Sequence, residues 1–579
     1  MYHSVQCRLA ALAAAFALTS ALAVGNTITV TTTADNNSSQ PVIAGSLRAA
    51  LASANDNDTI VFDPSLKGKT IKLSAGQLAI SKSINIVGLG TDKLTISGNG
   101  KSRVFYINTT ATVTFSAFAV SLGNGKGADL SGAGYDANGG AVLNLGSLAA
   151  ANVAFNNSKA NGSGGGIFNA GSLSLVDSTV AYNTANAGSS SAPQSNGGGI
   201  ADIGALSISR STISNNRSFG DGGGIEESGT LALIDSTIST NKAAGFGGGV
   251  ADGGFATIAI SDCTFSLNSA SNGGGLAASS PLPVSWTVAN TILSGDTAAT
   301  SPEIGLSVAT GISQGFNLVG NTSGIPAGSL VASDIVNVSA NLGPLQDNNG
   351  PTFTMALLPG SPAIAAGSNS LVPAGVVADQ RGYGRINQGT VDIGAFEFYA
   401  PKDLKQDALN IVTADYNQNC SNISDWETNL DLWLAETLIH SSLRPVLWNG
   451  ADKSRLSSWG ELDFEYEEGA AGALNDLAES NGTFAADAQD ALENLVMADN
   501  LLALTAINDA IAANGSTNAI RNAQNEVGQA QTALTKNKFV QAIEHYEQAW
   551  IDAQRAKNVT TGYDDGSDET ERCRADYPF

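Results

Sequence analysis

The side chains best placed to do chemistry recur on a repeating frame. Two residues after each of six glycine-rich tetrapeptides the chain reads Asn144, Asn169, Asp202, Glu227, Asp252 and Ala278. If the frame stacks coil upon coil, the three carboxylates lie about 4.8 Å apart. Retaining glycosidases need two carboxyl groups about 5–5.5 Å apart and inverting ones about 6.5–9.5 Å; calcium takes several carboxylate oxygens. Asp202, Glu227 and Asp252 are thus the candidates for a structural or calcium-binding role, with a polysaccharide hydrolase or lyase as the alternative and Arg210, Arg217 and Lys242 as nearby basic groups. Against catalysis, the column begins with two asparagines, which marks a place that wants a short polar side chain. A second column reads Asn152, Asp177, Arg210, Asp235 and Asp262, with Arg210 between two carboxylates as in a stacked ion pair.

The frame itself is GGAV at 139–142, GGGI at 164–167, 197–200 and 222–225, GGGV at 247–250 and GGGL at 273–276, in steps of 25, 33, 25, 25 and 26 residues. Self-similarity at such a period marks a solenoid or array. Short alternating segments (Leu173 and Leu175, Leu206 and Ile208, Leu231 and Leu233, Ile258 and Ile260) predict strands, and no repeat contains a helical pattern. The expected fold is mainly β: a right-handed single-stranded parallel β-helix, followed by a smaller all-α domain. Stacking turns repeats into columns, so Asn183, Asn216, Asn241 and Asn268 should form a structural ladder of side-chain amides. Ser178, Ser211, Ser236 and Cys263 share an inward column, which makes Cys263 a small core residue rather than a nucleophile. The eight-residue excess, Gly188–Ser195, is an insertion of the kind that gathers on a binding face.

Composition narrows the function. Residues 401–579 hold 12 Lys+Arg against 30 Asp+Glu, a net of −18 within the chain's −24. A nucleic-acid binder needs a basic footprint, so no nucleic-acid partner is expected, and an acidic polysaccharide would call for a bridging cation. The β-helix has no histidine: His3 lies at the N-terminus, and His440 and His545 in the C-terminal region. Ser-His-Asp and Cys-His chemistry and the common zinc sites are therefore excluded there. Residues 1–23 read as a signal peptide, with Arg8, an apolar Leu9–Leu22 and Ala21-Leu22-Ala23 as the cleavage site. No other stretch approaches spanning length, so the expected location is extracellular or at the bacterial cell surface, associated with the outer membrane.

Particular motifs carry a family resemblance. Thr29–Asp35, Gly45-Ser-Leu-Arg-Ala-Ala50 and Asp58–Asp63 resemble the N-terminal segment of secreted bacterial proteins named for a Cys-Ser-Leu-Arg-Glu-Ala motif, with Gly45 and Ala49 departing from it. The repeats resemble those of chlamydial polymorphic membrane proteins. Gly315–Gly320, Gly360–Ile364, Asp379-Gln-Arg-Gly-Tyr383 and Gly389–Glu397 resemble the end of choice-of-anchor Q domains. The resemblance spans about Asn26–Phe398 and implies a pectin lyase-like β-helix, export and surface association, without catalytic residues.

The domain boundaries read as 24–400 for the β-helix, 401–560 for the α-helical domain and 561–579 for an acidic tail. Ala485–Ala513, Asn518–Thr535 and Lys538–Ala556 have helical apolar spacing, and Trp426, Trp433, Trp448 and Trp459 cluster earlier. Cys420 and Cys573 bracket this domain and could pair after export. The expected role is a non-catalytic adhesin-like surface for a polysaccharide or a host or matrix partner. No cofactor is expected other than calcium. Phe168, Tyr182, Phe219 and Phe246 are the candidate outward aromatics, and the alternative is the β-helix hydrolase or lyase.

Overall fold

The computed structural model describes residues 25–561, apart from 37–41, 127–130, 187–194, 255, 280–283, 309–310, 388, 421–424 and 481. The signal segment, most of the 188–195 insertion, Cys573 and the acidic tail lie outside the described residues. The chain divides into two compact units, Met1–Phe398 and Tyr399–Phe579.

The first unit is a parallel β-solenoid of about nine turns. Each central coil contributes to three sheets, as the coil from Gly164 to Asn196 illustrates. Ile167–Asn169 lies in a nine-stranded sheet, Ser172–Val176 and Thr179–Ala181 in a twenty-stranded one, and Thr184–Ala185 in a six-stranded one. Register is kept residue for residue: Leu173 pairs with Leu206, Leu206 with Leu231, Leu231 with Ile258 and Ile258 with Trp286. Because side chains alternate across a strand, this register stacks Leu175, Ile208, Leu233, Ile260 and Val288 into one buried column. A lone coil could not bury that face; stacked coils share a continuous core.

Two sharp bends per coil need left-handed backbone. One falls at Asp177, Arg210, Asp235, Asp262 and Asn290 (φ +44° to +54°), the other at Tyr182, Asn215, Thr240 and Leu267 (φ +56° to +62°). The first glycine of each tetrapeptide is also left-handed, and a Cβ at Gly197 would sit 2.1 Å from the Ile200 carbonyl oxygen. That is why this corner repeats as glycine.

At the N-terminal end, helix α1 (Leu47–Ser53) buries Leu47 and Ala50 and is capped by Ser46, whose Oγ accepts from the Ala49 amide. Arg48 pairs with Asp35 at 2.7 Å. At the other end, residues 341–398 leave the coil pattern; they form one antiparallel strand pair (Leu342–Gln346 with Thr354–Leu357) and pack along the column of left-handed bends.

The second unit contains, among the described residues, six α-helices: α2 (Pro401–Asn419), α3 (Trp426–Ser442), α4 (Glu461–Glu479), α5 (Ala485–Ala512), α6 (Thr517–Leu534) and α7 (Phe539–Thr561). Spacing in the sequence anticipates the last three; α2, α3 and α4 are additional. α5 is the core helix, with Leu492, Leu495, Leu501 and Leu502 buried. It is also long and apolar enough to cross a membrane, which corrects the expectation that no such stretch exists. Burial of 78% of its apolar window is the pattern of a core helix.

Candidate functional site

The acidic column is closed. Asn144, Asn169, Asp202 and Glu227 are fully buried and Asp252 nearly so. They stand in register at the ends of successive strands of the nine-stranded sheet. The polar ladder begins with Asn144 Nδ2, which donates to Asn169 Oδ1 at 2.6 Å, and Asn169 Nδ2 continues it to Asp202. Glu227 faces Asp202 across one coil spacing. Burial, then the neighbouring Asp202 charge, pushes the Glu227 carboxyl up to about 10, and burial lifts Asp202 to about 6. Glu227 therefore keeps its proton and donates it to Asp202. Asp252 accepts from the Gly254 amide at 2.7 Å and from Trp286 Nε1 at 2.9 Å. These carboxylates are consumed inside the core, out of reach of a polysaccharide chain. The only group of carboxylates spaced for a metal ion among the described residues lies elsewhere, in the helical unit.

The asparagine column behaves as a series. Asn183, Asn216 and Asn241 each donate from Nδ2 to the next amide oxygen at 3.0–3.1 Å, and each backbone amide donates to the same oxygen. Asn268 continues to Asp296, a terminus not expected from sequence. Asp296 in turn is hydrogen-bonded to Glu303, a second buried acid pair whose carboxyls are raised by burial. The serine column is buried too, each Oγ accepting the amide of the coil before, and Cys263 is enclosed with its thiol pushed up by burial.

The second column holds the stacked ion pair expected on one side of Arg210. Arg210 binds one carboxylate, Asp177, through two nitrogens at 2.8 and 2.9 Å. Asp235 instead faces Arg385, which lies 3.5 Å from it and 3.6 Å from Asp262, and which donates to the Asp392 and Gly394 carbonyls. Beside it Gln380 is fully buried, accepting from Thr237 Oγ1 at 2.6 Å and donating towards Ser211, Thr212, Thr352 and Phe353 at 2.9–3.2 Å. The Asp379-Gln-Arg motif thus clamps the terminal segment to the solenoid, with Arg381 held by Asp379. Phe168 is another correction: it packs at 4.9 Å from Tyr135 and is buried, whereas Tyr182 and Phe219 are exposed.

The charged side chains of the six-stranded sheet are all cationic. Between residues 127 and 398 the chain has six basic residues. Arg210, Arg381 and Arg385 face carboxylates. The other three, Lys159, Arg217 and Lys242, are exposed and stand at one position of the six-stranded sheet. The full column reads Lys159, Thr184, Arg217, Lys242, Ser269 and Thr297, about 4.8 Å per coil. Arg217 lies over the exposed Phe219 ring at 4.4 Å, and a shallow groove of about 400 Å³ runs beside Lys242, Ser269 and Thr297. The sequence signal for this column is plain in hindsight: Thr184, Arg217, Lys242 and Ser269 each follow an asparagine of the ladder by one residue.

The helical unit has its own polar centre. Lys405 on α2 is fully buried among Asp463 and Glu467 on α4 and Asp499 on α5, with Nζ 2.8 Å from Glu467 and 3.0 Å from Asp499, and bonded to Asp463. Burial raises all three carboxyls. Although their oxygens are close enough to share a metal ion, the ammonium already stands among them.

These features define the class: a parallel β-solenoid with closed polar ladders and one basic outer column, joined to an all-α unit. Comparison with protein-family models, curated proteins and solved structures finds no match for this chain.

Proposed function

We propose that the chain is an exported bacterial surface protein of the choice-of-anchor Q type whose solenoid binds an anionic glycan without cleaving it. The observation that carries this reading is the column Lys159–Arg217–Lys242. Like charges one coil apart repel, and Arg217 and Lys242 are direct neighbours in register. A polyanion lying along the column relieves that repulsion, while hydroxyls at Thr184, Ser269 and Thr297 and the Phe219 ring supply the polar and stacking contacts a sugar uses. This local charge removes the need for a bridging cation that the acidic composition implied. Closure of Asp202, Glu227 and Asp252 supports a non-catalytic role and leaves calcium no place in this reading.

The test is binding of the mature protein to polygalacturonate and alginate, with dextran as the neutral control, while new reducing ends are followed. Binding to the acidic glycans that weakens with salt and is lost in Lys159→Ala/Arg217→Ala/Lys242→Ala is expected. Equal binding by the triple variant, or cleavage abolished by Glu227→Gln, would refute it.

A further inference from the structure

Helix α3 carries two apolar faces. Leu432, Ala435 and Ile439 are buried in the bundle. Trp426, Leu430, Trp433 and Leu434 form a second stripe at helical spacing, and these four are 63%, 48%, 48% and 37% exposed. A surface helix ordinarily turns charged residues outward, and contiguous exposed apolar area rimmed by polar groups marks an interaction site. Tyr416 and Cys420 at the end of α2 complete a groove with Trp426, Asn429, Leu430 and Trp433.

Charge indicates what covers it. α3 contains no lysine or arginine. Glu427 and Asp431 lie on one edge of the stripe, where Asp476 of α4 adds a third carboxylate. None of the three has a cationic partner among the described residues. A second copy of the chain would oppose this acidic edge with its own. The chain beyond Thr561 is also mismatched, with six acidic and two basic side chains in 562–579. Distance disfavours it further. Asp415 of α2 meets Asp487 at one end of α5, and Lys557 of α7 meets Asp509 towards the other. Those acids are about 33 Å apart at 1.5 Å per residue, with Cys420 and Thr561 beyond them on opposite sides. The twelve residues from Thr561 to Cys573 span at most about 43 Å, little more than that separation.

We infer that the α3 stripe is the docking site for an amphipathic, basic helix of another protein, its apolar face on Trp426, Leu430, Trp433 and Leu434 and its Lys or Arg side chains against Glu427, Asp431 and Asp476. Such helix-in-groove recognition uses anchors at this spacing.

The test is calorimetric titration of the full chain with an 18-residue amphipathic Leu/Lys peptide, and with its Leu/Glu counterpart. The Leu/Lys peptide should bind, and Trp426→Ala/Trp433→Ala should weaken it at least about tenfold with the thermal unfolding curve unchanged. Glu427→Gln/Asp431→Asn should flatten the salt dependence. The inference is overturned by undiminished binding to the tryptophan variant, or by equal binding of the Leu/Glu peptide. Sedimentation showing a dimer that the tryptophan substitutions dissociate would overturn it as well, by making a second copy the occupant.

Discussion

Asp202 and Glu227 occupy the same position on successive coils, side by side inside a closed core. That relationship governs how the solenoid responds to pH. Both groups are raised in the folded state, to about 6 and about 10, so both are protonated there at pH values where an unfolded chain would be ionised. Their contribution to stability is complete below about pH 4, declines as pH rises, and is lost through the folded values. Glu226, raised to about 7, acts in the same direction. The urea midpoint of the solenoid should therefore be higher at pH 5 than at pH 9, and Glu227→Gln should lessen the difference. Equal midpoints would show that the pair is ionised in the fold.

The Gln380 clamp sets a second expectation. Removing its amide leaves the Thr237 hydroxyl and several polar atoms of the solenoid wall without their partner. Gln380→Ala should cost about 2–4 kcal/mol, as an unsatisfied buried cluster does. Limited proteolysis should then cut within 341–398 while the coils stay resistant. A variant as resistant as the parent would mean that the segment is held by Arg385 and Arg381 without it.

Lys405 is the counter-ion of three carboxyls in the helical unit. Lys405→Met leaves them buried without a cation, and breaking such a cluster costs about 3–5 kcal/mol. Loss of helical signal at a lower temperature, with the β signal unchanged, is the expected outcome of circular dichroism.

A ladder amide is expected to matter more than a surface residue of the neighbouring coil. Asn216 accepts from and donates to its neighbours above and below, so Asn216→Ala should destabilise by about 2–3 kcal/mol. Thr240→Ala, at an exposed bend, should change stability by less than about 1 kcal/mol. Equal effects, read from denaturant midpoints, would remove the ladder from the account of stability.

Much of the solenoid is legible in the sequence because its information is periodic. A repeat of about 25 residues returns equivalent side chains to one place in every coil, so columns such as Asn183–Asn268 follow from the spacing alone. What the repeat leaves open is which way a polar column faces. Asp202, Glu227 and Asp252 look like an exposed acidic row, yet their strand positions turn them into the interior. Only packing decides that, because burial fixes whether a carboxyl is a charge on a surface or a hydrogen-bonded link in a core.

The helical unit offers less. Apolar spacing marks α5, α6 and α7, whereas α3 hides its periodicity behind apolar residues on both faces. By itself, then, the sequence determined a stacked β-coil with amide ladders and an acidic helical partner. Tertiary structure alone decided the contacts between distant segments. Arg385 reaches Asp235 and Asp262 across more than a hundred residues, Lys405 meets acids from two other helices, and three exposed cations align on one face. The physical reason is that a repeat specifies neighbours one period apart, while a partner at arbitrary separation is chosen by chain path, charge and the space left in the packed fold.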